Sequence, residues 1–243
     1  MRMAKPILMI DAGHGGTDPG AIGNQMQEKD LTLQISLYQL QRCRELNLPV
    51  AITRTTDTTL TPSQRTTLVK QSGATYCISN HINSGGGEGV EAIHSIFTTN
   101  KLANALAQAV AAEGQKFRRV YTRVGADGRD YYFMHRETGA VDTIIMEYGF
   151  IDHAGDAQKL KDNWKRYAEA VIKAFCGHIG HPYSPAIEEP SDDFDLAVDA
   201  LVQAKIITSP DYWKQNAVPN GIVVGDYATQ LIKNMANYLK AGA

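Results

Sequence analysis

The period of the apolar positions changes several times along the chain, and each change marks an element. The run "KPILMI" stops abruptly at Asp11 and predicts a first strand. In "KDLTLQISLYQLQRCRELN" the residues Leu31, Ile35, Leu37, Leu40 and Leu46 recur on or near one helical face, and "LPVAITR" predicts the strand that follows. "TPSQRTTLVKQSG" opens with Thr61, a proline in the first turn and Gln64 three residues past the threonine, the pattern of a capping box. "ATYCISNH" and "GVEAIHSIFT" predict strands separated by a glycine-rich loop, and "NKLANALAQAVAAEGQKF" predicts a helix capped by Asn100 and ending near Gly114. "DTIIMEYGF" is an apolar run broken by a single acid. The stretch after it sets Leu160, Trp164, Tyr167, Val171 and Phe175 at helical spacing.

Strands and helices alternating in this way predict an α/β domain over residues 1–178, with a mixed, mostly parallel sheet flanked by helices on both faces. Chemistry in such sheets gathers at the carboxyl ends of strands, here residues 11–16, 53–57, 79–84 and 147–152. Beyond residue 178 the pattern breaks. Pro182, Pro185 and Pro190 among acids predict a linker over 179–191. Residues 192–243 then carry two amphipathic segments, one with Phe194, Ala197 and Leu201 on its apolar face, the other with Tyr227, Leu231, Met235 and Tyr238, joined by the proline turn "TSPDYWKQN". A segment of about 50 residues scarcely buries a core by itself. The expectation is a small helical module that packs on itself, on the body or on a copy of itself.

Composition alters this picture little: 43% hydrophobic and 21% charged residues are ordinary for a globular protein. A net charge of -2 gives no general argument for nucleic acid or an anionic membrane as partner. Charge is divided unevenly, with eight acids against four lysines in residues 183–243 and eighteen acids against twenty basic residues before them. No apolar stretch is long enough to span a bilayer and the opening residues carry no small-residue cleavage site, so the expectation is synthesis in the cytoplasm without a signal peptide and no stable membrane insertion. Cys43, Cys77 and Cys176 stand far apart in apolar or helical contexts and are expected as buried free thiols.

The candidate chemistry begins at "IDAGHGGTDPG". A dinucleotide loop fails, because the third glycine position of G-x-G-x-x-G falls on Asp18, and no P-loop occurs. A metal site does better. His14 in the glycine-rich loop, Glu28 at the start of the next helix and His81 at a strand end form a His2Glu set, which leaves zinc a fourth position for water. Asp11 is placed to partner a ligand histidine's second nitrogen. Glu147, alone in its apolar run, is costly to bury without a partner or a task. Near an activated water it would move the protons of an amide hydrolysis. Each residue also has a local alternative: a turn for His14, a hydrogen-bonded loop for His81, a helix-start carboxylate for Glu28, and neutralisation of Arg54 or Arg65 for Glu147.

Taken in order, "IDAGHGGTDPGAIG", "EKDLTL", "TRTTD", "SQRTTLVKQSGATYCISNHINS", "GVEAI" and "IIMEYGFIDHAGD" resemble the zinc-dependent N-acetylmuramoyl-L-alanine amidases of the Amidase_3 family, over roughly residues 6–176. The resemblance implies His14, Glu28 and His81 as zinc ligands and Glu147 as the catalytic residue. It also implies hydrolysis, by a zinc-activated water, of the peptidoglycan amide between the lactyl group of N-acetylmuramic acid and L-alanine. Three positions depart from the family pattern: Ala12 stands for the usual proline, Asn80 precedes His81, and no proline precedes the strand of Glu147. The basic, aromatic stretch 106–140 matches least. By the resemblance it lies near the substrate groove, where Arg118, Arg119, Arg123 and Arg129 either meet stem-peptide carboxylates or stay solvated. The tail more weakly resembles modules that give wall hydrolases attachment or self-association, and the context implied is an endolysin that reaches the wall after release or in a lysing cell. The rival functions are another zinc-dependent peptidoglycan peptidase and a catalytically silent wall-binding protein.

Overall fold

The uninterrupted apolar run at the start of the chain becomes β1 (Leu8–Ala12), buried along its whole length. In the computed structural model, which describes residues 5–186, 194–217 and 222–241, a short hairpin follows, β2 (Ile22–Gly23) with β3 (Met26–Gln27). Then come α1 (Glu28–Glu45), β4 (Val50–Ile52), α2 (Pro62–Ser72), β5 (Tyr76–Asn83), β6 (Val90–Ile93), α3 (Lys101–Ala112), β7 (Phe117–Tyr121), α4 (Phe133–Arg136), β8 (Asp142–Phe150) and α5 (Ala154–Ile179). Six strands form one sheet in the order β4-β1-β5-β8-β6-β7. All neighbours run parallel except β6 against β8, so the sheet is mixed and mostly parallel, as the alternation of elements predicts.

Because side chains alternate between the two faces of a strand, the sheet has two unequal cores. Leu8, Ile10, Ile78, Ile144, Met146 and Tyr148 face the large cluster built with α1, α3 and α5. Met9, Cys77, Ile93 and Ile145 face a smaller one closed by Val69 of α2 and Met134 of α4. Asp11, Ser79, His81 and Glu147 continue this second set of positions toward the carboxyl ends of β1, β5 and β8. The polar residues therefore start where the thinner apolar layer stops.

Several local expectations hold and others shift. Thr61 and Gln64 make the reciprocal bonds of a capping box at α2, and the three cysteines are free and buried. Asn100 stands before α3 but its side chain makes no capping bond. Leu37 lies on the exposed side of α1, and β6 ends at Ile93 rather than running on to Thr98. β7 escapes the hydrophobic pattern because Phe117, Arg118 and Arg119 are exposed on a strand at the sheet edge.

The chain divides into two compact units at residues 186 and 187. α5 ends at Gly180, whose φ of 68° suits a residue without a side chain. The chain after it folds back, with Tyr183 donating to Glu169 and Arg42 donating to the Ser184 carbonyl. Residues 187–191 of the expected linker, with 192 and 193, lie outside the described residues. In the second unit, α6 (Phe194–Gln203), α7 (Pro210–Asn216) and α8 (Gly225–Ala241) surround Val198, Ile206, Ile207 and Trp213, with Leu201, Leu231 and Met235 against them. Tyr212 stacks on Tyr227 at 3.6 Å between ring centres. The buried face of α6 centres on Val198 rather than Ala197, which is exposed, and Tyr238 of α8 is exposed as well. The side chain of Phe194 lies outside the described residues. Trp213→Ala removes the largest side chain of this small core and is expected to cost about 3–5 kcal/mol. Hydrogen exchange should then show residues 194–217 and 222–241 losing protection together.

Candidate functional site

The loop after β1 passes so close to β5 that it needs glycine. A Cβ on Gly13 would stand 2.5 Å from His81 Cε1 and 2.6 Å from the Asn80 carbonyl. His14 follows with φ at 61°, a left-handed conformation that costs a non-glycine residue energy. Arg54, only 4% exposed, holds this conformation by donating to the carbonyls of Ala12, Gly13 and Lys29. It thereby ties the loop to the start of α1. A Cβ on Gly20, at φ 64°, would meet Glu28 Oε2 at 2.6 Å and His14 Cδ2 at 2.7 Å.

Three side chains from three elements converge here. Oε1 of Glu28, the first residue of α1, meets His14 Nε2 at 3.1 Å and His81 Nδ1 at 2.9 Å. It also accepts the Ile82 N–H, while Oε2 accepts the Ala21 N–H. The imidazole rings lie 5.0 Å apart and nearly perpendicular. Burial alone would raise the Glu28 pKa, but the hydrogen bonds from His14 and His81 outweigh it and hold the carboxyl far below the usual range. Burial works the other way on His14, where the Glu28 hydrogen bond and charge prevail and raise its pKa. One donor atom from each of the three residues lies within 4.8 Å of the others. Two imidazole nitrogens and one carboxylate oxygen this close together are a donor set that fits zinc. The other nitrogen of His14 meets Asp18 Oδ2 at 2.8 Å, the kind of outer carboxylate that orients a ligand histidine.

Asp11 does not partner either histidine, contrary to expectation. It is fully buried and takes both Nε and Nη2 of Arg65, together with the Ser79 hydroxyl at 2.7 Å. Burial pushes its pKa up, but the Arg65 guanidinium overcomes this and brings the carboxyl down to about 2. Arg65 in turn stands 3.3 Å from His81 Nε2, so Asp11 acts on the site through Arg65. Asp11→Asn leaves a guanidinium buried without its counter-charge and is expected to cost about 3–5 kcal/mol in denaturant unfolding. The carboxyl's pKa is lower in the folded protein than the ordinary 3.8, so its contribution is present above pH 4. It should be lost as the pH falls from about 4 to about 2, and the Asn variant should lack this acid-dependent step.

Glu147 stands opposite His81 of β5 on one side and Glu91 of β6 on the other. It is half-buried, and its Oε2 is closed off without a hydrogen bond. Burial, then the charges of Glu28 and Glu91, raise its pKa well above the carboxylate range. Arg54 and Arg65 are committed to loop carbonyls and to Asp11, so neutralisation of either is not its role. Asn80, the departure next to His81, points to the opposite face, where it donates to Ser36 and Gln39 and accepts from the Tyr148 hydroxyl. This buried network clamps β5 and β8 to α1. Among the described residues a second cluster, Glu88, His153 and Asp156, could hold a metal. Its members already have structural tasks: His153 Nδ1 caps α5, Asp156 Oδ2 accepts from Gly89 and Phe150, and Glu88 pairs with Lys116.

The family model for N-acetylmuramoyl-L-alanine amidase, Amidase_3, matches residues 8–176. The chain belongs to that family. It is 35% identical over 225 residues to the sporulation-specific N-acetylmuramoyl-L-alanine amidase of Bacillus subtilis (strain 168), covering 88% of this chain and 81% of that protein. It is 34% identical over 167 residues to the N-acetylmuramoyl-L-alanine amidase CwlM of Bacillus licheniformis, covering 64% of this chain and 61% of the relative's length. Among solved structures, the catalytic domain of the amidase CwlV from Bacillus (Paenibacillus) polymyxa var. colistinus superposes with a TM-score of 0.64 at 25% identity, covering 73% of this chain and 99% of that one.

Proposed function

We propose that this chain hydrolyses the peptidoglycan amide between the lactyl group of N-acetylmuramic acid and L-alanine, with His14, Glu28 and His81 holding zinc and Glu147 moving the protons. The observation that carries this is the convergence of His14 Nε2 and His81 Nδ1 on Glu28 Oε1, with a carboxyl of raised pKa on the adjacent strand. Zinc held by His14, Glu28 and His81 would supply Lewis-acid chemistry there, acidifying a water and polarising the scissile carbonyl. Asp18 fixes the His14 ring through Nδ1, and Arg54 fixes the loop that carries it. Glu147, as carboxylate, takes a proton from the attacking water and returns it to the alanine nitrogen as the amide breaks. A raised pKa strengthens the carboxylate as a proton acceptor. The 187–243 unit adds attachment to the wall or pairing with a second copy, a role supported by Ile232 and Leu239, which stand exposed on α8.

Amino-terminal labelling of digested peptidoglycan tests the reaction. New amino termini on L-alanine are expected. New termini on any other stem residue would instead make the protein a peptidase.

A further inference from the structure

We propose that Arg118 and Arg119 form a carboxylate-reading subsite beside Glu147, which selects stem peptides whose second residue carries a free carboxylate. This rests on the amidase reading above and names what the same site recognises. The residues His81, Glu147, Glu91 and Arg119 are direct register partners across β5, β8, β6 and β7. They therefore form one row on one sheet face, each step about 4.8 Å from the next. Between Val90 and Glu91 the register with β7 slips, because Val90 pairs with Phe117 but Glu91 with Arg119. Arg118 is the extra residue. A bulge of this kind re-aims a side chain that would otherwise point to the far face, and here it brings two consecutive arginines to one carboxylate.

That carboxylate, Glu91, is fully buried, and its Oε1 lies 2.6 Å from Arg118 Nε and 2.8 Å from Arg119 Nε. Asn83 donates to its Oε2. Two guanidiniums against one carboxylate leave one positive charge in excess. Arg118 is 38% exposed on its side chain, lies over the Phe150 ring at 5.1 Å, and has terminal amino groups that make no hydrogen bond to a described residue. It is a guanidinium held at Nε by Glu91 and set over an aromatic ring, with Nη1 and Nη2 not engaged by a carboxylate among the described residues, which leaves them for bidentate binding of a carboxylate. The other arginines of the stretch differ. Arg129 is paired with Asp127 on an exposed turn, and Arg123 lies against Tyr131. Glu147 is two strand spacings, about 10 Å, from β7, and a guanidinium reaching back shortens that gap. The second residue of a peptide extended from the scissile amide lies about 7 Å away. The spacing thus places a carboxylate on that residue at the arginine fork.

The test compares two synthetic muramoyl peptides that differ only in a free carboxylate or a carboxamide on the second stem residue, cleaved by the full zinc-loaded chain. The wild type is expected to favour the carboxylate by about tenfold or more in kcat/KM, expressed in KM, with the preference shrinking as salt rises. Arg118→Ala should bring the two substrates to within about twofold, and Arg118→Lys, which keeps the charge but not the fork, should fall between. Equal cleavage of both substrates by the wild type overturns the subsite and leaves the amidase reading standing. A preference that survives in Arg118→Ala also overturns it. Cleavage of neither peptide overturns the amidase reading and the subsite with it.

Discussion

Glu147→Gln is expected to lower kcat by at least about 100-fold, the lower end of what a positioned acid or base contributes, while the zinc content of the protein stays unchanged. The substitution keeps the shape of the side chain and removes only its ability to take up and release a proton. Its setting also raises the Glu147 pKa, through burial and then the charges of Glu28 and Glu91. A glutamine there needs no proton and has no charge to desolvate, so the folded protein should be at least as stable as the wild type. The outcome is therefore an enzyme that is folded, loaded and slow. Steady-state kinetics alongside metal analysis and thermal unfolding read all three properties. Activity within about tenfold of wild type would remove Glu147 from the proton transfers.

Glu28→Ala is expected to fail for the opposite reason. Its Oε1 is the point on which both histidine nitrogens converge, and the N–H groups of Ile82 and Ala21 hold its two oxygens in place. Loss of an outer partner typically weakens metal binding 10–100-fold, so loss of a direct donor should weaken it by more than about 100-fold. Zinc content should fall from about one per chain toward none, with activity below detection at ordinary metal concentrations. Excess zinc should restore part of that activity in Glu28→Ala and none in Glu147→Gln. The two variants separate holding the metal from handling the proton.

The candidate site is legible in the sequence because its residues stand where a hydrophobic pattern is interrupted. Glu147 is an acid inside an apolar strand, His81 ends another, and His14 lies among glycines, of which Gly13 and Gly20 have no room for a Cβ, since one would stand under 3 Å from its neighbours. The residues that support them were harder to find. Asp18 is missed, and Asp11 named in its place as partner of a ligand histidine, because which carboxylate reaches the ring depends on the left-handed turn at His14 and not on spacing. Arg65 reaches Asp11 from α2 across 54 positions of chain, and Glu91 meets Arg118 only because of a bulge. No local pattern encodes either. The missed strand β7 shows the same limit, since an edge strand with exposed arginines carries no alternation to detect. In the second unit α6 and α8 match the two expected segments, but α7 is a helix where a proline turn is expected, and the buried position on α6 shifts by one residue, from Ala197 to Val198. Apolar residues on a short helix leave its rotation to tertiary packing.

The most direct measurement is mass spectrometry of the products released from purified peptidoglycan by the full chain, before chelation, after chelation and after zinc is returned. The result expected is free stem peptides beginning with L-alanine and glycan strands with intact lactyl groups, absent after chelation and restored by zinc. Products cut within the stem peptide, or the same products undiminished by chelation, would contradict a zinc-dependent amidase built on His14, Glu28, His81 and Glu147.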